Sequence, residues 1–123
     1  MEKITKKELK SIEKKKLKLA DIKWSLEVRN RDGECICCGR KDKLQAHHIV
    51  PREIKEYRHE LNNGITLCPK CHRFSLKASA HRNPFIFYLV ITRKRQEQFK
   101  YLVHLLIENG YFNEIDGAIS NEK

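Results

Sequence analysis

Apolar and polar positions change rhythm several times along the chain. From Thr5 to Asn30, Leu9, Ile12, Leu17, Leu19, Ile22, Leu26 and Val28 recur at mostly helical intervals among lysines and glutamates. That spacing predicts one or two helices, with Trp24 as the anchor onto whatever follows, and Asn30-Arg31-Asp32-Gly33 is a stop-and-turn signal. Leu44-Gln45-Ala46-His47-His48-Ile49-Val50 then reads as a short strand whose ladder Pro51 ends. Arg52 to Leu61 is polar and charged, a loop with some helical character. Asn62-Asn63-Gly64 is a hairpin-type turn signal before a second strand, Ile65-Thr66-Leu67.

The remainder reads as helical. A helix is expected from His72 to about His81. Asn83 and Pro84 suit the cap and first position of another helical segment, although residues 85–91 are rich enough in β-formers to leave a strand open. A further amphipathic helix, Lys94 to Glu108, carries Phe99, Leu102, Val103, Leu105, Leu106 and Ile107 and stops at Asn109-Gly110. Its apolar stripe reads as core, packed on the N-terminal helix or on a second copy of the chain. The tail after Tyr111 is expected to fray.

At 123 residues the chain is expected to form one α+β domain in three parts, 1–30, 31–82 and 83–123, with a modest core. A metal staple is the usual remedy for so small a core. A net charge of +10 favours polyanionic partners, nucleic acid above all. The run Lys14-Lys15-Lys16 suits DNA phosphates, or is a solvated face. No apolar run reaches membrane-spanning length and the N-terminus is lysine-rich, so no membrane partner is expected. Five cysteines, mostly in metal-ligand spacings, point to a reducing, intracellular (cytoplasmic) setting.

Those cysteines carry the chemistry. Cys35-Ile36-Cys37-Cys38-Gly39 and Cys68-Pro69-Lys70-Cys71-His72 each contain a Cys-x-x-Cys pair with a turn residue, Gly39 or Pro69, where a metal knuckle needs one. Cys35, Cys38, Cys68 and Cys71 would complete a closed tetrahedral zinc shell, which is a structural site. Cys37 is then the spare thiol. His47, His48 and His72 are left over for chemistry.

The order of these motifs resembles the HNH endonuclease family, whose core is a ββα-metal unit. The pattern is a Cys-x-x-Cys-Gly knuckle, a strand ending in His47-His48, an Asn in the connecting loop, and Cys-x-x-Cys-His opening a helix. The resemblance implies a small zinc-stapled ββα-metal (His-Me finger) core flanked by N- and C-terminal helices. It also implies that Asn63, placed at the family's interval before His72, holds His48; a turn alone would equally explain an Asn before Gly64. Relatives often carry another helical histidine one turn after His72, where this chain has Leu76. That departure suggests a catalytic ion with two protein ligands, His47 and His72, completed by water and phosphate, the habit of Mg²⁺-like ions. His81 is a candidate extra ligand, but it falls two and a half turns after His72, on the wrong side of a continuous helix, and so reads as structural.

The roles follow from phosphodiester hydrolysis. His48 is expected as the general base, with Mg²⁺, Mn²⁺ or another divalent transition ion at His47 and His72 as Lewis acid. Arg52 and Arg73, close in sequence to His48 and His72, suit phosphate gripping, or are plain surface charges. A regular strand would splay His47 and His48 to opposite faces, so a bend is expected if both serve one phosphate. The expected activity is nicking or cleavage of DNA, and the resemblance implies 5′-phosphate and 3′-hydroxyl products; sequence specificity is left open, the partner is double-stranded DNA, and the oligomeric state, dimer included, stays open. The alternatives are a zinc-dependent nucleic-acid-binding module without activity, or a basic adaptor for a protein partner.

Overall fold

The computed structural model describes residues 3–113; the expectation about the tail therefore lies mostly outside the described residues. The N-terminal pattern forms one helix, α1, Lys6–Asp32. Thr5 and Glu8 close a reciprocal capping box at its start, and Gly33, at φ 69°, ends it in the left-handed conformation. Of its apolar side chains only Trp24 and Val28 are buried, whereas Leu9, Ile12, Leu17, Leu19, Ile22 and Leu26 are exposed. The first part of α1 thus stands clear of the core.

Two short strands, β1 (Gln45–His48) and β2 (Gly64–Leu67), pair antiparallel, with Gln45 opposite Leu67, Ala46 opposite Thr66, His47 opposite Ile65 and His48 opposite Gly64. Because side chains alternate across a strand, each face of the hairpin has its own neighbour. On one face His48 stacks on Trp24 and the Thr66 hydroxyl donates to the Val28 carbonyl at 3.2 Å, so this face lies on α1. On the other, Ile65 and Leu67 join Cys35, Cys68, Cys71, Phe87 and Ile91 in the main core cluster. Asp32, its side chain fully buried, ties the layers together. Its carboxylate meets Arg31, Arg95 at 2.7 Å and the Thr66 N–H at 3.0 Å. Burial alone would raise its pKa, but these partners hold it below the usual carboxylate value.

After β2 the expected helix from His72 to His81 does not form. A single wide turn, Lys70–Phe74, closes with the Ser75 N–H on the Lys70 carbonyl at 2.8 Å, a five-residue step. Ser75 is extended and the chain folds back, so that Ala80 N–H reaches the Cys71 carbonyl and His81 N–H the His72 carbonyl, at 3.0 and 3.1 Å.

Residues 84–94 are helical despite their β-formers: α2, Pro84–Lys94, starts with the Asn83 side chain accepting from Ile86 N–H and Pro84 at the first turn. Burial of Phe87 and Ile91, one turn apart, against the hairpin outweighs strand propensity. Lys94 ends this helix, and the next, α3 (Gln96–Glu108), begins after a break at Arg95. The α3 stripe does pack inward, though on the loop between the strands. Leu102 and Leu106 cluster with Tyr57, Ile49, Val50 and Ile54, and Gln98 donates to the carbonyls of Asn62 and Gly64 at 3.0 and 2.7 Å.

Candidate functional site

The first knuckle is closed by the Gly39 N–H on the Cys35 carbonyl at 2.8 Å, with Gly39 at φ 81°, and Ile36 N–H joins it to the Thr66 carbonyl of β2 at 3.0 Å. The second begins where β2 ends. Together they bring the sulfurs of Cys35, Cys38, Cys68 and Cys71 within 4.8 Å of one another, with Cys38 and Cys68 Sγ 3.6 Å apart. Zinc–sulfur bonds of about 2.3 Å in a tetrahedron would set sulfurs about 3.8 Å apart. The four side chains therefore fit a zinc ion. Burial would raise the Cys68 thiol, yet the Cys71 backbone N–H and the neighbouring thiols bring it down to about 7, while burial pushes Cys71 up.

A second group of metal-ligand side chains lies beyond β1. His47, His72 and His81 each place a ring nitrogen within 4.8 Å of the others. His72 Nε2 lies 3.2 Å from His47 Nδ1 and 3.1 Å from His81 Nε2. His72 Nδ1 is 2.7 Å from Gln45 Oε1. An amide oxygen only accepts, so Nδ1 carries the proton and the Nε2 lone pair faces the other two rings. Burial holds His47 at about 3, helped by His72 and His81, and His72 at about 4, helped by His81 and Arg73. Both are thus neutral at pH 7, the form that binds a metal. Three converging nitrogens fit a divalent transition ion.

His81 corrects the sequence reading in two respects. A continuous helix would carry it away from His72; the break at Ser75 brings it back. Leu76 is 65% exposed, and His81 adds a third nitrogen beside the two, His47 and His72, that the sequence suggested as ligands. The only sequence signal was Ser75 and Ser79, poor helix formers around the bend.

His47 and His48 do project to opposite faces without a bend, but both lie at the end of β1 and border one cleft of about 520 Å³, which His72, His81, Arg52, Arg73 and Tyr88 also line. His48 Nε2 sits 2.9 Å from the Arg58 carbonyl oxygen. That oxygen only accepts, so Nε2 carries the proton and Nδ1 keeps its lone pair. Burial lowers the His48 pKa, which leaves the ring neutral at pH 7. Asn63 is fully buried and its side chain makes no hydrogen bond to His48 itself. Its Oδ1 accepts from Val50 N–H at 2.6 Å, and its Nδ2 donates to the carbonyls of Val50 and Tyr57 at 3.0 and 2.9 Å. It fixes the loop that presents Arg58. Lys14, Lys15 and Lys16 are exposed on the projecting part of α1 and do not line the cleft.

The family model described as HNH endonuclease matches residues 35–74, from the first zinc knuckle through the turn that carries His72, and ends short of His81. No curated protein and no solved structure matches the chain. The matched stretch holds all four clustered cysteines and both strands of the hairpin. Members of that family are in general nucleases that use divalent metals and act on DNA.

Proposed function

We propose that this cleft hydrolyses DNA phosphodiester bonds, double-stranded DNA being the substrate, with 5′-phosphate and 3′-hydroxyl products. The observation that carries the reading is the juxtaposition of three converging imidazole nitrogens with a neutral His48 whose Nδ1 is free to take a proton. His48 Nδ1 accepts a proton from the attacking water. The Arg58 carbonyl fixes the tautomer, and Asn63 holds that carbonyl's loop. Arg52 and Arg73 steady the flanking phosphates. His47, His72 and His81 would hold a divalent ion, which when bound would supply Lewis-acid stabilisation of the phosphoryl charge and of the leaving oxygen. An all-nitrogen donor set favours Mn²⁺ or a later transition ion over Mg²⁺. Zinc at the four cysteines supplies stability alone, and suits a reducing compartment. A role in phage or mobile-element DNA metabolism is one setting for such an enzyme.

The projecting, lysine-rich part of α1 adds phosphate contacts in this reading. Affinity for duplex DNA should then fall steeply with salt, and neutralising Lys14, Lys15 and Lys16 together should flatten the slope; an unchanged slope returns the run to a solvated face.

The decisive assay incubates the zinc-loaded protein with supercoiled plasmid and a series of divalent ions. Nicking by the wild type, and a loss of about 10²- to 10⁴-fold in rate for His48→Ala that added metal does not rescue, supports the assignment. DNA retardation in a gel without nicking under any ion would instead make the chain a binding module.

A further inference from the structure

We propose that Trp24 of α1 is a positioning residue for His48, holding the imidazole in the orientation that a general base requires; the inference rests on the function proposed above. The indole and imidazole rings are stacked, centroids 3.9 Å apart and planes 10° from parallel. His48 is the last residue of β1, so its ring has no further pair of the hairpin beyond it. One hydrogen bond, to the Arg58 carbonyl, fixes a point on the ring and leaves rotation about that point free. A flat face against the ring removes that freedom.

Three further contacts are built around the stack. Indole Nε1–H donates to the Glu60 carbonyl at 2.9 Å, so the platform is itself anchored to the loop. Gly64 is the cross-strand partner of His48, and partners across an antiparallel pair share a face. A Cβ at Gly64 would lie 2.6 Å from Trp24 Cζ2 and 2.5 Å from Val28 Cγ2. The missing side chain opposite His48 is therefore the slot that the indole occupies. Asp21, three residues before Trp24 and on the same side of the helix, grips the Arg58 guanidinium through both oxygens at 2.8 and 2.6 Å. One face of α1 thus holds both the plane of the imidazole and the residue whose carbonyl accepts its hydrogen bond. The family match begins only at residue 35, so this support comes from outside it.

The test compares Trp24→Phe, which keeps a flat face, with Trp24→Met, which fills space without one, in zinc-loaded full-length protein. Nicking of plasmid by Trp24→Met should lose on the order of 10- to 100-fold in kcat, with KM for DNA and the half-saturating Mn²⁺ concentration unchanged, and Trp24→Phe should recover most of it. A merely structural role would move all three together, or leave Trp24→Phe as impaired as Trp24→Met. Stacking is read independently by NMR of the wild type without Mn²⁺. The His48 ring protons, assigned with His48→Gln, should lie upfield of those of the exposed His104, through the ring current of the only tryptophan. This needs no Trp24 variant to fold. Unshifted His48 protons, or a Trp24→Met protein with full kcat, overturn the inference. A wild type that cleaves nothing overturns the proposed function and the catalytic part of this inference together, whereas a normal wild type beside an indifferent Trp24→Met overturns this inference alone.

Discussion

The cysteine cluster and the histidine cluster gather their ligands by opposite means. The thiolates come as two i, i+3 pairs, each fixed by a local turn, so the only long-range requirement is that two knuckles meet. The imidazoles come singly: His47 from a strand, His72 from a wide turn, His81 from a loop that folds back. That cluster exists only when hairpin, turn and returning loop are all in place. Three of the four cysteines are buried within the main core, whereas His81 is exposed and the histidines border an open cleft. One cluster is suited to holding the fold, the other to meeting a substrate that the fold brings to it.

The largest expected effect follows directly. Cys68→Ser should lose zinc and leave the chain largely unfolded, because a structural zinc contributes on the order of 10 kcal/mol to a small domain. His81→Ala should keep one zinc per chain and unfold near the wild-type temperature. Zinc analysis with thermal unfolding reads both. A strong chelator should likewise unfold the wild type, since the metal is what would bond the two knuckles to each other through their sulfurs. Retention of zinc and fold by Cys68→Ser would erase the contrast between the clusters.

The same contrast explains what was legible in the sequence. Local spacing defines a knuckle, so Cys35, Cys38, Cys68 and Cys71 could be grouped from their intervals, and the two strands from their β-formers. The hairpin turn expected at Asn62-Asn63-Gly64 is absent, because Leu61–Asn63 is a 3₁₀ turn ending a long loop and Gly64 is extended at the start of β2. His81 could not, because its place depends on where a helix breaks. Helical continuation from His72 was the wrong assumption; Lys70–Phe74 makes one wide turn, and the backbone bonds from Ala80 and His81 to Cys71 and His72 hold the return. Trp24 was read as an anchor, but its contact with His48 joins positions 24 residues apart through tertiary packing, for which no periodicity gives a signal. The exposed leucines of α1 fail for the converse reason: helical spacing predicts a helix and says nothing of whether a partner covers it.

Asn63 tests whether the two properties separate cleanly. It was expected only to position another residue, yet it is fully buried and makes three hydrogen bonds to the loop backbone. Asn63→Ala would strand one N–H and two carbonyls, at a cost of about 2–4 kcal/mol. Urea unfolding should show that loss while zinc stays bound. Activity should fall as well, since Arg58 and therefore His48 lose their support. Stability within about 0.5 kcal/mol of wild type would make Asn63 a member of the site and not of the scaffold.

His81→Ala then sharpens the histidine side of the comparison. Removing one of three nitrogens should raise the Mn²⁺ concentration needed for half-maximal nicking by at least about 10-fold, the loss that even an outer partner of a metal ligand causes. The maximal rate should recover at high metal, in contrast to His48→Ala. An unchanged metal requirement would return His81 to the structural role its sequence position suggested.

The smallest effect is expected at Cys37, and it tests the assignment within the cysteine side. Three cysteines crowd Cys35-Ile36-Cys37-Cys38, and spacing alone pairs Cys35 with Cys38. The structure keeps Cys37 out of the four-sulfur group and half-buries it against the core, where its carbonyl accepts from Lys94 Nζ at 2.8 Å. Burial first, and the Cys35 thiol next, push the Cys37 thiol up to about 11, so it is neutral at pH 7. Cys37→Ser keeps the backbone that Lys94 contacts and exchanges only a half-buried sulfur for oxygen. It should cost no more than about 1 kcal/mol and leave the zinc content at one per chain. Cys38→Ser, a change of the same size at the next residue and on a more exposed side chain, should release the metal. Were Cys37→Ser the variant that loses zinc, the first knuckle would bind through the wrong pair, and the tight Cys-x-x-Cys turn closed by Gly39 would no longer explain the site.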